Sequence, residues 1–168
     1  MIFTTTRLCI RPLQEEDLPG YAKMHGNPNV MQYVGGKTMT LEENRKDLKQ
    51  VIDLYQKPDN TFWVWAIENP EDEFVGTCAI IINSKDQWEI GYRFLEDHWG
   101  KGFGTEITQG LIEHAFQSMK IQKLHAYVDR ENKGSVKILD RFFNFVDEYW
   151  CEDEQCWDRS YVLENPHE

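Results

Sequence analysis

The largely apolar run over residues 8–13 reads as a short first strand and gives way over 15–26 to a helix-like stretch that carries Leu18, Tyr21, Ala22 and Met24 among polar residues. Over 27–40, Pro28, Gly35 and Gly36 interrupt the pattern and leave one helical turn around Val30, Met31, Tyr33 and Val34. Thr40 and Glu43 stand at capping-box spacing, so a second helix begins there, carries Leu48, Val51, Ile52 and Tyr55 on one face, and stops at Pro58. Strand-like runs at 62–68, 74–83 and 88–95, separated by Asn69-Pro70 and Ser84-Lys85-Asp86, predict a three-stranded meander. Ile107, Leu111, Ala115 and Phe116 then recur at helical spacing and leave Glu106, Gln109, Glu113 and Gln117 outside. A strand at 124–128, a helix at 133–143 and a hairpin from 145–151 and 156–163 complete an α/β chain with a mixed, mostly antiparallel sheet flanked by helices. No repeat or low-complexity stretch divides it, so residues 1–168 read as one domain.

Composition narrows the partners. The 168 residues carry a net charge of -11, which disfavours nucleic acid, since phosphate backbones are bound chiefly by basic patches. The acidity either keeps the protein soluble or suits a cationic partner. No window is long and apolar enough for a membrane helix, and the basic-then-apolar pattern of a secretory signal is missing, so a cytoplasmic protein is expected. Cys9, Cys78, Cys151 and Cys156 show no zinc-like spacing with one another or with histidine, and no metal is expected. Cys151 and Cys156 should face each other across the last hairpin as reduced thiols.

The chemistry concentrates at residues 99–105, Trp99-Gly100-Lys101-Gly102-Phe103-Gly104-Thr105, between a strand and a helix. Glycines there let backbone N–H groups converge on an anion at a helix N-terminus. The spacing is not that of a P-loop, because Lys101 directly follows Gly100 and precedes Gly102. It is not a dinucleotide-binding or kinase loop either, since the third glycine comes one residue early. Nucleotide phosphotransfer is therefore excluded. With Glu89-Ile90-Gly91-Tyr92 before it and Thr105-Glu106 after it, the segment resembles the acyl-coenzyme A pyrophosphate loop of the GNAT superfamily, in particular the RimJ/RimL-like N-terminal acetyltransferase branch. Thr6-Arg7-Leu8 with Ile10-Arg11-Pro12-Leu13, Phe74-Val75-Gly76-Thr77, and Asn132, Ser135 and Leu139 extend the resemblance over nearly the whole chain. An aromatic at Trp99 is usual in that branch. Asn144 stands where the family usually has Gly, and Asn tolerates the left-handed conformation a helix end there would need.

The resemblance implies acetyl-CoA as cosubstrate and direct acetyl transfer without an acyl-enzyme. Gly100 to Gly104, including Lys101, Gly102 and Phe103, with the Thr105 hydroxyl, would receive the pyrophosphate beside Trp99. Tyr92, Arg93, Phe94 and Leu95 would lie beside the pantetheine arm, with the Phe94 N–H as oxyanion donor. Asn132 would contact the arm, and Ser135 would serve the departing thiolate; Ser135, Leu139 and Phe142 fall at i, i+4 and i+7, which turns Ser135 towards the packed face. Asn132 also reads as a plain helix N-cap. An amine with a reference pKa of about 10 must lose a proton before attack, at a cost of roughly 4 kcal/mol near neutrality. Glu89, on the opposite face from Trp88 and Ile90, is either that base or a solvated strand residue. His25, His98, His114 and His125 lack an evident carboxylate partner in sequence.

The acceptor is the least legible part. Asp147, Glu148, Glu152, Asp153, Glu154 and Asp158 crowd the last hairpin, and Trp63, Trp65, Trp150 and Trp157 read either as walls of an acceptor site or as packing residues. An acidic, aromatic rim would suit a cationic amine, and a protein N-terminus and a small-molecule amine both remain open. The resemblance also admits a homodimer. The alternative from another class is a non-catalytic acyl-CoA-binding or sensing module, which needs the glycine loop and not Glu89 or Ser135.

Overall fold

The computed structural model describes residues 1–166. Among them, one eight-stranded sheet is built from β1 (Phe3–Thr4), β2 (Cys9–Pro12), β3 (Phe62–Glu68), β4 (Phe74–Ile82), β5 (Trp88–Phe94), β6 (Lys123–Asp129), β7 (Asn144–Cys151) and β8 (Cys156–Glu164). The strand order is β1-β2-β3-β4-β5-β6-β8-β7. Neighbours are antiparallel except β5 and β6, which run parallel and need the crossover helix that lies between them in sequence.

The helices are α1 (Leu18–His25), α2 (Pro28–Met31), α3 (Leu41–Leu54), α4 (Phe103–Gln117) and α5 (Lys133–Phe142). Thr40 and Glu43 make the capping box at the start of α3: Glu43 N–H donates to Thr40 Oγ1 at 3.2 Å and Thr40 N–H to Glu43 Oε2 at 2.8 Å. On one face of the sheet, Leu48 and Val51 of α3 meet Tyr21, Leu13 and Ala66. The larger core gathers Ile107 and Leu111 of α4 and Leu139 of α5 against Ile10, Trp65, Val75, Ile80, Ile90, Leu124 and Tyr161. A smaller cluster of Met24, Val30, Met31 and Leu95 fixes the segment between α1 and α3 to the end of β5.

Three expectations change, and the open reading of the tryptophans resolves towards packing and an exposed hairpin. The run 15–26 is a 3-10 turn at Glu15–Asp17 followed by α1, because Asp17 is drawn into a bidentate pair with Arg11. Helix α5 ends at Phe142, and Phe143 is already extended with φ -116, so Asn144 opens β7 without a left-handed residue. Glu106 does not face solvent: it accepts from Thr5 Oγ1 at 2.6 Å and from the Arg7 N–H at 2.7 Å. Trp65 and Trp63 stack in series with Tyr55. Trp150 and Trp157 sit exposed on the last hairpin, so no tryptophan among the four walls the large cavity described below. Cys151 and Cys156 do face each other in register and are free thiols.

Candidate active site

The site forms where the sheet opens. Strand β5 pairs with β4 along its whole length, yet meets β6 at one bridge, Glu89 with His125, beyond which the two strands part. Leu95 N–H donates to the Val75 carbonyl at 2.9 Å. N–H directions alternate along an antiparallel ladder, so the amides of Phe94 and Tyr92 point the other way, into the gap. From that side the Trp99 indole N–H donates to the Phe94 carbonyl at 3.0 Å.

The glycine loop lies at the wide end of the gap. Gly100 and Gly102 take φ +73 and +79, a conformation side-chain-bearing residues rarely adopt. Gly102 caps α4 without a side-chain bond, which leaves the N–H groups of Phe103, Gly104 and Thr105 unpaired within the helix at the wall of a cavity. Gly104 serves a different purpose from Gly102. It is helical, and a Cβ there would stand 2.9 Å from Ile138 Cδ1 and 3.4 Å from Tyr92 Cε2, so its small size lets α4 close on α5 and β5. Arg7 fastens the loop from outside. Its Nε meets Glu106 Oε2 at 2.7 Å, its Nη1 donates to the Lys101 carbonyl at 2.8 Å, and its guanidinium covers the buried Phe103 ring. Burial works to raise the Glu106 pKa, but the bonds from Thr5 and Arg7 win and hold it below the ordinary carboxylate range.

Two cavities of about 470 and 430 Å³ meet at this opening and share Tyr33, Val34, Tyr92, Arg93, Asn132 and Ser135. The smaller runs past Phe94 and Trp99 to Gly100, Gly102, Phe103, Gly104 and Thr105. The larger lies under α1 and α3 and includes Tyr21, His25, Asp47, Glu89 and Gly91. Across the junction, Tyr92 Oη and Ser135 Oγ are 3.2 Å apart, and the Asn132 side chain caps α5 by accepting from Ser135 N–H at 3.3 Å. Burial raises the Tyr92 pKa against the bonds from Ser135 and Thr108.

Most of the residues singled out from the sequence converge here, with two exceptions. Leu95 is packed against Met24 and Met31, its N–H is bonded to Val75, and its carbonyl accepts from His98 N–H. Lys101 lines neither cavity and contributes its carbonyl to Arg7. Phe103 offers its backbone while its ring packs on Phe94.

Glu89 is half-buried in the larger cavity and accepts from Asn83 Nδ2 at 2.9 Å. Burial raises its pKa, opposed by the Asn83 bond and by Lys85, and aided by Asp158. Arg93 projects from the same face of β5, and burial lowers its pKa against the fields of Tyr21, Asp47 and Glu154. His25, 4% exposed, holds Asn44 at 2.8 Å through Nδ1, and burial with the nearby Arg93 charge keeps it neutral-leaning. At the hairpin end, ligand atoms of Glu154, Cys156 and Asp158 lie within 4.8 Å of one another. Burial and Asp158 push the Cys156 thiol up to about 12. Glu148, by contrast, is neutralised between Arg130 at 2.8 Å and Arg159 at 3.0 Å.

Sequence reasoning missed Tyr21, Asp47 and Asn83 as site residues and set His25 aside for want of a carboxylate partner. They sit on helices and turns whose composition is that of any surface element, and the one available signal was Asn83 at the start of a turn, where an Asn side chain commonly folds back on its own backbone.

Residues 7–142 match the sequence profile of the acetyltransferase (GNAT) domain. The uncharacterized N-acetyltransferase p20 of Bacillus licheniformis is 31% identical over 138 residues, covering 81% of this chain and 78% of the relative. Among solved structures, RimL, a ribosomal alpha-N-protein acetyltransferase in complex with coenzyme A, superposes with a TM-score of 0.82 at 19% identity, covering 99% of both chains. The spermidine N-acetyltransferase of Vibrio cholerae, in complex with CoA and spermine, gives a TM-score of 0.79 at 19% identity over 94% of this chain and 95% of that one.

Proposed function

The chain belongs to the GNAT acetyltransferase family, and from that premise we propose that it transfers acetyl from acetyl-CoA directly to a primary amine seated in the larger cavity. The observation that carries this reading is the meeting of the two cavities at the unpaired edge of β5, beside Tyr92, Asn132 and Ser135.

The residues present fit the cosubstrate. Gly100 and Gly102, in conformations a Cβ would strain, and the uncapped first turn of α4 suit a pyrophosphate, and the amides of Tyr92 and Phe94 suit an extended amide-bearing arm paired as a strand. When bound, acetyl-CoA supplies the activated acetyl thioester. Phe94 N–H would donate to the carbonyl oxygen as negative charge develops there. Glu89, with its raised pKa, would take the proton from the incoming ammonium, directly or through water. Ser135 Oγ, backed by Tyr92 Oη, would hold a proton for the departing sulfur. Within the family we favour the RimJ/RimL-like branch, on the opening segment 6–13 and the aromatic at 99.

The test is thiol release from acetyl-CoA by purified protein with polyamines, aminoglycosides, amino-acid amides, free amino acids and peptides with free N-termini. Acceptor-dependent release that collapses in Glu89→Gln supports the reading. Acetyl-CoA binding with no release on any amine would replace it with a binding or sensing module.

A further inference from the structure

The charge pattern of the larger cavity says something about the acceptor, given that an amine is acetylated there. In a chain with 29 acidic and 18 basic residues, arginines should find carboxylates. Arg7, Arg11, Arg45, Arg130 and Arg159 do, each within 4.0 Å. Arg141 lies exposed over the Phe142 ring. Arg93 has neither hydrogen bond nor ion pair from its guanidinium among the described residues, although it is half-buried at the junction of the two cavities. Asp47, in the same cavity, is engaged by Tyr21 Oη at 2.5 Å, and His25 faces Asn44. A guanidinium carries five donors and no acceptor, and leaving them unmet away from bulk water is unfavourable. Nothing in the surrounding fold uses them.

The opposite end of the cavity has the opposite sign. Glu89 lies four residues back on the same face of β5, about 13 Å away backbone to backbone at the usual strand rise, among Asp129, Glu154 and Asp158 with Lys85 as the one opposing charge, and an acceptor held at Arg93 would pass its proton to it through water. One end therefore favours an ammonium and the other a carboxylate. We infer that the acceptor carries a carboxylate close to its reactive amine and that Arg93 binds that carboxylate, so the substrate class is a free amino acid or a peptide with an acidic residue at its N-terminus. This departs from the purely cationic acceptor that the acidic hairpin suggested, since a polyamine would set a positive charge against Arg93.

The experiment pairs acceptors that differ only in that group: glutamate and aspartate against their α-amides, peptides beginning with Asp or Glu against those beginning with Asn or Gln, and spermidine as the cationic arm. Wild type, Arg93→Gln and Arg93→Lys are compared by thiol release and by calorimetric binding to the CoA-loaded protein. The expected result is a preference for the carboxylate member of about tenfold to a hundredfold, the range for a hydrogen bond to a charged group. That preference, read within each variant as the ratio between the two members of a pair, should vanish in Arg93→Gln and partly return in Arg93→Lys. Whichever pair carries it, amino acid or peptide, names the source. Equal use of both members by wild type, a preference for spermidine, or a carboxylate preference that persists in Arg93→Gln would overturn the assignment. Carboxylate-selective binding without turnover would retain it and reject the transferase reading alone, and the absence of selective binding would reject it whatever the turnover.

Discussion

Tyr92 and Ser135 face each other across the junction of the two cavities, hydroxyl to hydroxyl at 3.2 Å, one from β5 and the other from the first turn of α5. Asn132 holds the Ser135 backbone and Gly104 leaves room for the Tyr92 ring, so the pair is positioned by both neighbouring helices. Ser135→Ala should lower kcat by about a hundredfold, the smaller end of what a positioned proton donor supplies, with KM for acetyl-CoA little changed. Tyr92→Phe in the Ser135→Ala background should add less than it does alone, because the two act as one unit. Steady-state kinetics of the four proteins check this; a rise in KM at constant kcat would make the pair a binding feature.

For Glu89 the sign is fixed by burial. A raised carboxyl pKa delays ionisation, so a base at this position yields an acidic limb in kcat/KM above the ordinary carboxylate range. Removing the Asn83 donor, as Asn83→Ala, should shift that limb to higher pH, since the bond favours the charged form. Stability follows the same linkage. A group whose folded pKa lies above its unfolded one stabilises the fold at low pH and loses that contribution as pH rises through the folded value. Glu89→Gln should therefore melt at or above the wild-type temperature at neutral pH, with the difference closing in acid. Melting curves at the two pH values decide it.

Gly102 and Lys101 separate backbone shape from side-chain charge. Forcing φ +79 on a β-branched residue costs about 1–2 kcal/mol, so Gly102→Val should weaken acetyl-CoA binding by roughly tenfold. Lys101→Ala should leave it within about twofold, because an exposed lysine of this kind contributes little. The reverse order, measured by calorimetry, would show that charge and not shape holds the anion.

The framework was legible because its signals are local. The capping box at Thr40, the apolar runs of β3 to β5 bounded by turn residues and the glycine spacing at 100–104 each depend on residues within one or two turns. What escaped depends on distant partners. Glu106 reads as an outward helix residue until Thr5 and Arg7 arrive from about a hundred positions away. Asn144 reads as a left-handed helix end until the pairing of β7 with β8 draws Phe143 into an extended conformation. The large cavity was least legible of all, since Tyr21, His25, Asp47 and Arg93 come from three elements and no spacing connects them.

Arg11 links three elements through Asp17 and Glu68, with contacts of 2.8 and 2.5 Å at largely buried sites. Asp17→Ala would leave the guanidinium with half its partners but still paired with Glu68, and should cost roughly 1.5–3 kcal/mol, the range for hydrogen bonds to a charged group. Denaturant titration checks the size, and a loss below about 1 kcal/mol would mean that the pair behaves as a surface ion pair.

The parting of β5 and β6 also bears on the order of events. Because the opening passes through the sheet, with the glycine loop at one mouth and α1 and α3 at the other, the two substrates would approach from different directions and neither would have to leave before the other enters. Intersecting double-reciprocal plots, characteristic of a ternary complex, are the kinetic signature of such a passage. A single inhibitor joining an amine to coenzyme A would be threaded through the fold, and its release would wait on the sheet itself.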